Sequence, residues 1–272
     1  MLPLREDIAA PEFPRDPVWI GADPGKMTPL LARRPALVHF FDFSQLNSVR
    51  TLPYLNEWNR RYQPLGLAVL GIQAPRFPFS GDPETVRQAV GALGIEFPVM
   101  VDTDLALWSA YGCEGWPSLF LWGRGGILRW FHFGEGDYEG TEQAIQGVLD
   151  GSDEEMPDLM EPVRATDLQG IEVIAPSSEL LPADGRPWTS EDVSDGFEVE
   201  FEAGGAHATL AGNGTLELTL DGEALPKVTV EGPGLYDLVI LPGHGSHRLG
   251  LRPVGPVEIW SVSFSPATVR EP

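Results

Sequence analysis

The sequence predicts two domains of different class, an α/β domain with a mixed central sheet followed by an all-β domain. Three observations lead there. Between residues 19 and 150, short apolar runs alternate with stretches of helical periodicity, as expected of strands and helices laid down in turn around one sheet. Beyond residue 163 the period falls to two, as in Phe197-Glu198-Val199-Glu200-Phe201-Glu202 and Leu216-Glu217-Leu218-Thr219-Leu220, the mark of half-buried antiparallel strands. Between the two, Gly151 to Pro162 is acidic and broken by proline, a composition that suits a linker.

Taken in order, residues 1–17 carry Pro3, Pro11, Pro14 and Pro17 and read as an extended lead-in, with the fold starting near Trp19. Ala36 to Phe41 is a predicted strand, Ser48 to Tyr62 a helix and Leu67 to Ile72 the next strand. Ser48 itself reads as a helix-start residue. Asp82-Pro83 opens a further helix, with Asp82 as N-cap and Pro83 at the first position, where no N–H is needed. Phe97 to Val101 is a strand, Asp104 to Tyr111 a short helix, and Ser118 to Trp122 a strand turning through Gly123-Arg124-Gly125-Gly126 into Ile127 to Phe133. Thr141 to Leu149 closes this domain with a helix. The expected divisions are therefore 18–150, a linker over 151–162, and 163–272. In the last, Asn213-Gly214 and Asp221-Gly222 are hairpin dipeptides, and runs at 235–241, 246–252 and 256–264 continue the strand spacing. A β-sandwich of jelly-roll type fits that pattern.

The formal net charge is −22 over 272 residues, and residues 151–272 hold 6 Lys and Arg against 22 Asp and Glu. Nucleic acid and anionic membranes recruit proteins through clustered cations, so neither is an expected partner. The first residues, Met-Leu-Pro-Leu-Arg-Glu-Asp, lack the basic and apolar regions of a secretory signal, and no apolar run reaches the ~18 residues of a membrane span. The expected location is cytoplasmic, or extracytoplasmic if a leader has been removed. Cys113 is the single cysteine, which excludes an intrachain disulfide and a cysteine-rich zinc site.

Residues 37–55, Leu-Val-His-Phe-Phe-Asp-Phe-Ser-Gln-Leu-Asn-Ser-Val-Arg-Thr-Leu-Pro-Tyr-Leu, resemble the active-site strand, loop and helix of thioredoxin-like domains related to TlpA and the C-terminal region of DipZ. Those domains read approximately Phe-Trp-Thr-Tyr-Ser-Cys-Ile-Asn-Cys, then Arg-x-Leu-Pro, which Arg50, Leu52 and Pro53 match. Gly71 to Phe79, Phe97-Pro98-Val99 with Asp102, Trp116-Pro117, and Phe133 to Tyr138 with Thr141-Glu142 extend the resemblance over most of residues 19–150. It implies a thioredoxin fold and a thiol-disulfide oxidoreductase ancestry. The departure is decisive for chemistry: Gln45 and Ser48 stand where the two cysteines would be. A thiol at a helix N-terminus is activated by the backbone N–H groups, and neither replacement can act so. The resemblance further implies that Trp116-Pro117 is the cis-proline loop, bordering a peptide groove formed by Phe43, Gln45, Ser48, Trp116 and Pro117.

The remaining candidates each have a bland alternative. Ser48 has only His39, on the preceding strand, as a nearby base, so serine catalysis is disfavoured. Cys113, four residues before the proline, is either a one-cysteine redox centre or a buried small residue; Glu114 beside it opposes a thiolate, favouring the second. His244 and His247 form a His-x-x-His pair without an evident third ligand, a weak metal signal even if Asp237 and His207 joined them. Asn213-Gly214-Thr215 fits a glycosylation acceptor but is accounted for by its hairpin role. Trp188 and Trp260 form an aromatic platform for sugar or pack in the core, and Glu135 in Gly-Glu-Gly is a turn residue rather than an acid–base catalyst. The second domain also resembles, more loosely, the β domain that follows thioredoxin modules in DipZ-type proteins. The function expected first is a redox-silent binding or scaffold protein for a peptide or protein partner, with no cofactor; the alternatives are a one-cysteine oxidoreductase using Cys113 and a carbohydrate or ligand binder acting through the β domain.

Overall fold

A computed structural model describes residues 8–149 and 155–268. The chain divides into two compact units, Met1–Val163 and Arg164–Pro272. Unit one contains β1 (Val18–Ile20), α1 (Met27–Leu31), β2 (Ala36–Phe41), α2 (Leu46–Tyr62), β3 (Ala68–Gln73), α3 (Pro83–Ala92), β4 (Val99–Val101), α4 (Ala106–Ala110), β5 (Ser118–Trp122), β6 (Leu128–Phe133) and α5 (Tyr138–Leu149). Its six strands lie in the order β1-β4-β3-β2-β5-β6. β2, β3 and β4 run parallel, whereas β5 pairs antiparallel with β2 and β6 with β5. The central strands β2, β3 and β5 are buried along their whole length, which is why they read as continuous apolar runs rather than alternating ones. Leu37 and Phe41 face one apolar cluster beneath α2, with Leu52, Leu55 and Trp58; Val38 and Phe40 face a second, with Leu70, Met100 and Trp122.

The lead-in belongs to the fold. Ala9 bridges Ile127, the Leu128 N–H donates to the Ile8 carbonyl at 3.0 Å, and Phe13 is buried edge-on against Trp19 at 5.3 Å. Proline density hid this segment because an isolated bridge has no periodicity to read; residues 1–7 of the expected lead-in lie outside the described residues. Part of the expected linker, 150–154, also lies outside them. The rest of that stretch packs on unit one: the Met160 N–H donates to Glu142 Oε2 at 2.9 Å, the Val163 N–H to the Tyr54 hydroxyl at 2.8 Å, and Met156 and Met160 cover the α2 core. Arg61 and Tyr62 donate to Glu142 Oε1 at 2.7 and 2.6 Å, so the buried carboxylate is paired on both oxygens.

Unit two is β-rich: β7 (Val173–Ile174), β8 (Trp188–Thr189), β9 (Phe197–Leu220), β10 (Glu223–Ala224), β11 (Val228–Glu231), β12 (Gly234–Val254), β13 (Val257–Ser265) and β14 (Ala267–Thr268). The expected runs at 235–241 and 246–252 are one long strand, β12. β9 folds back across it, so that Leu249 pairs with both Val199 and Leu220, near the two ends of β9. This doubling of one sheet encloses a core of Phe201, Leu210, Leu218, Leu249, Ile259 and Phe264, a sandwich made from few, long strands. Asp221 and Gly222 both adopt positive φ, 53° and 89°, as a tight hairpin requires. Asn213-Gly214 does not form one. Both residues sit in the β9–β11 ladder, opposite Glu231 and Val230, and the bend falls on Gly212 (φ 93°), where a Cβ would meet the Pro256 carbonyl. Among the described residues no helix is long and apolar enough to cross a membrane.

Candidate functional site: a vacated thiol centre

The parallel strands deliver their following loops to one end of the sheet of unit one, and there Gln45 and Ser48, the expected cysteine positions, lie. β2 ends at Phe41, and the loop from Asp42 leads into α2, whose N-cap is Gln45. Gln45 Oε1 accepts the Ser48 N–H at 2.7 Å, satisfying a donor that has no partner within the helix. The expected helix-start role thus belongs to Gln45, and Ser48 sits inside the first turn. Ser48 is fully buried, and its hydroxyl accepts the Asp42 N–H at 3.3 Å. No base reaches it. His39 is fully buried, stacked on Phe41 at 5.2 Å with neither ring nitrogen hydrogen-bonded, and burial pushes its imidazole down to about 3. It is neutral throughout the physiological range.

The residue that organises this end is one the sequence reading passed over. Asp42, fully buried, accepts the Ser44 N–H at 2.8 Å and Ser44 hydroxyl at 2.6 Å on one oxygen, and the Arg76 N–H at 2.7 Å and Ser80 hydroxyl at 2.5 Å on the other. The carboxylate therefore ties the loop before α2 to the 3-10 turn Pro78–Gly81 that follows β3. Gln73 adds a second tie, accepting the Phe43 N–H at 3.1 Å and donating to the Ser80 carbonyl at 3.1 Å. An aspartate with serine two positions on is a sequence signal for such a local turn.

Trp116-Pro117 is a cis peptide bond. Ser118 pairs with Phe40, which brings the proline beside the end of β2. The Trp116 indole donates to the Ala74 carbonyl at 2.8 Å and stacks on Trp108 at 4.3 Å. The expected groove is narrower than the five residues named for it: Phe43, Ser48 and Pro117 are buried, leaving Gln45 and Trp116 partly accessible. Phe43 instead packs inward against Phe79 at 6.0 Å. Glu135 is not a simple turn residue, since its Oε1 accepts from Arg50 Nε at 2.7 Å and the Tyr138 hydroxyl at 3.1 Å, fastening the loop after β6 to α2.

Cys113 is half-buried among the apolar residues under α4. Burial pushes its thiol up to about 12; the Ser118 hydrogen bond opposes this and the Asp102 carboxylate adds to it. The opposing charge is Asp102, not the adjacent Glu114. A thiol so placed is no nucleophile near neutral pH, and the one-cysteine alternative is not favoured. In unit two, His247 Nδ1 lies 2.8 Å from Asp221 and His207 Nδ1 2.7 Å from Asp237, so the histidines are held by separate carboxylates; among the described residues no three His, Cys, Asp or Glu side chains gather as a metal site. Trp188 packs on Phe197 at 5.1 Å and Trp260 donates to Glu258 at 3.0 Å, which does not make a shared platform.

The sheet order, the helix entering at Gln45 and the cis-proline opposite it define a thioredoxin-like domain with a single cysteine elsewhere in the fold. Its homologues are thiol-disulfide oxidoreductases and proteins that carry such domains. Protein DipZ of Mycobacterium tuberculosis is 32% identical over 142 residues, 52% of this chain but 20% of DipZ; thiol-disulfide oxidoreductase YkuV of Bacillus subtilis is 27% identical over 146 residues, 54% of this chain and 96% of YkuV. The match thus spans about a fifth of DipZ and nearly all of YkuV. The solution structure of a thioredoxin-like protein in its oxidised form is similar at 26% identity and a TM-score of 0.48, covering 53% of this chain and 95% of that one. No family model matches. The cytoplasmic expectation fits poorly with these thiol-disulfide oxidoreductase relatives, and that location is withdrawn.

Proposed function

We propose that unit one is a redox-silent thioredoxin-fold module that binds an extended peptide or protein segment at the former thiol centre. The observation that carries this reading is the hydrogen bond from the Ser48 N–H to Gln45 Oε1. A neutral amide fills the acceptor position that a thiolate would take at this helix end, so the loop geometry persists without the chemistry. The cis Trp116-Pro117 bond and the hydrogen-bonded loop around Asp42 support retention of a shaped surface there.

Two measurements test it. The native chain should show no dithiol-dependent reduction of insulin disulfides, and the double variant Gln45→Cys with Ser48→Cys should acquire it, because only the sulfurs are missing. Reductase activity of the native chain overturns the silent reading. A correctly folded double variant that stays inactive removes the inference that the substrate-facing geometry survives.

A further inference from the structure

β6 is an edge of the sheet in unit one, paired with β5 alone. Just past its end the Gly134 N–H donates to the Pro117 carbonyl at 2.8 Å. Backbone groups alternate sides along an antiparallel strand, so those of His132 also face β5, whereas the N–H and C=O of Phe131 and Phe133 face the open edge. At the start of β6 this edge already takes a strand: Ala9 bridges Ile127 antiparallel, and the Leu128 N–H donates to the Ile8 carbonyl. Among the described residues nothing pairs there with Phe131 or Phe133.

The two faces of the edge differ. Trp130 is covered, its indole donating to the Thr141 hydroxyl at 3.3 Å. On the other face Phe131 and Phe133, 53% and 39% exposed, lie 5.4 Å apart. They border a cleft of about 270 Å³ whose walls include Ile8, Ala9, Tyr111 and Phe120, and no residue of the vacated thiol centre lines it. Arginines gather at the Leu128 end. Arg124 and Arg129 are exposed beside the β5–β6 turn, and the Gly125 N–H donates to the Leu31 carbonyl at 2.9 Å, which brings Arg33 and Arg34 to the same end. None of the four has an ion-pair partner among the described residues, in a chain of net charge −22.

A lone charge blunts a sheet edge, but a group of unpaired arginines beside exposed aromatic rings asks for a counter-charge. A second copy does not supply it. Antiparallel self-pairing centred on Phe131 sets Arg129 against Phe133 of the other copy, and it brings together two chains of charge −22. An added strand with apolar side chains at alternate positions, followed by carboxylates, satisfies the backbone groups, the rings and the arginines together.

We propose that the β6 edge docks an extended peptide segment in antiparallel pairing, with two apolar side chains over Phe131 and Phe133 and the acidic residues that follow them at Arg129 and Arg124. The test probes the full chain with an array of octapeptides that alternate Leu, Ile, Val or Phe with Thr and then carry two Asp, two Ser or two Lys; the strongest is titrated by fluorescence polarisation. The expected result is binding concentrated in the Asp peptides and weakened about tenfold or more by Phe131→Thr, by Arg129→Glu and by raised salt. Both side chains are exposed and threonine keeps the strand propensity, so thermal melts of the variants should match the native chain. Absence of binding across the array overturns the proposal, as does binding indifferent to the acids or retained by both variants. A dimer in sedimentation that Phe131→Thr dissolves would assign the edge to a second copy, and binding gained only on removal of residues 1–7 would assign it to this chain; either outcome also overturns it. Insulin reduction by the Gln45→Cys, Ser48→Cys variant reads a different surface, so the two proposals fail separately.

Discussion

Gln45 Oε1 caps the Ser48 N–H at 2.7 Å, so the side chain at one vacated cysteine position satisfies the backbone at the other. Replacing that amide by a methyl removes the side-chain acceptor that caps this helix start. Gln45→Ala should lower unfolding stability by about 1 kcal/mol, and Gln45→Asp, whose carboxylate is a preferred cap, should recover most of it. Urea titration of the three proteins measures the difference, and an unchanged midpoint for Gln45→Ala would show the cap to be idle.

Asp42 receives four donors from two loops. In Asp42→Asn one oxygen becomes an NH2 group that faces donors, so at least two hydrogen bonds are lost in a buried place. The expected cost is about 2–4 kcal/mol, with faster amide exchange at Ser44 and Arg76. Exchange measured by NMR localises the effect; a loss of stability without faster exchange in these loops would separate Asp42 from their ordering.

His39 makes stability depend on acid. Its folded value is about 3 against 6.5 for the free side chain, so between these values the unfolded chain binds a proton that the folded chain does not. Stability from this residue is full above pH 6.5 and falls as pH drops toward 3, by at most about 1.4 kcal/mol per unit. His39→Leu should remove that part of the slope and, by deleting two unpartnered nitrogens, raise stability at pH 7 by about 1 kcal/mol. Denaturation midpoints of both proteins across pH 4–7 provide the comparison.

Cys113 should alkylate slowly at neutral pH, with a rate rising toward a midpoint near pH 12 rather than 9. Because its folded value is raised, the thiol supports the fold below pH 9 and loses that support as pH climbs through 12. Iodoacetamide labelling followed by mass spectrometry gives the profile. A midpoint below 8 would return the residue to the list of reactive thiols.

The fold of unit one was legible because its signals are local: unbroken apolar runs for β2, β3 and β5, and Asp82-Pro83 for the start of α3. The cis bond at Trp116-Pro117 was legible through its likeness to a family motif. What escaped has a common cause. The Asp42 carboxylate, the Glu135 contact with Arg50 and the pairing of Ile8 with Leu128 join residues 34, 85 and 120 positions apart, and no spacing rule encodes such meetings. In unit two the alternation announced strands but not their lengths, since β12 continues through Pro242 and Gly243 with a register shift between Ile240 and Gly245 where the sequence suggested two strands. Likewise the resemblance places Phe43 in a peptide groove, and only the position of Phe79 shows why it is buried.

The fastening of Met160 and Val163 to α5 and α2 sets where unit one can be divided from the rest. A chain ended at residue 150, where the acidic stretch begins, would uncover the apolar surface beneath Met156 and Met160 and leave the Tyr54 hydroxyl and Glu142 without their backbone donors. The boundary of unit one therefore falls at Val163, beyond the acidic stretch. The sequence between the two units is correspondingly shorter than the run of acids and prolines suggests.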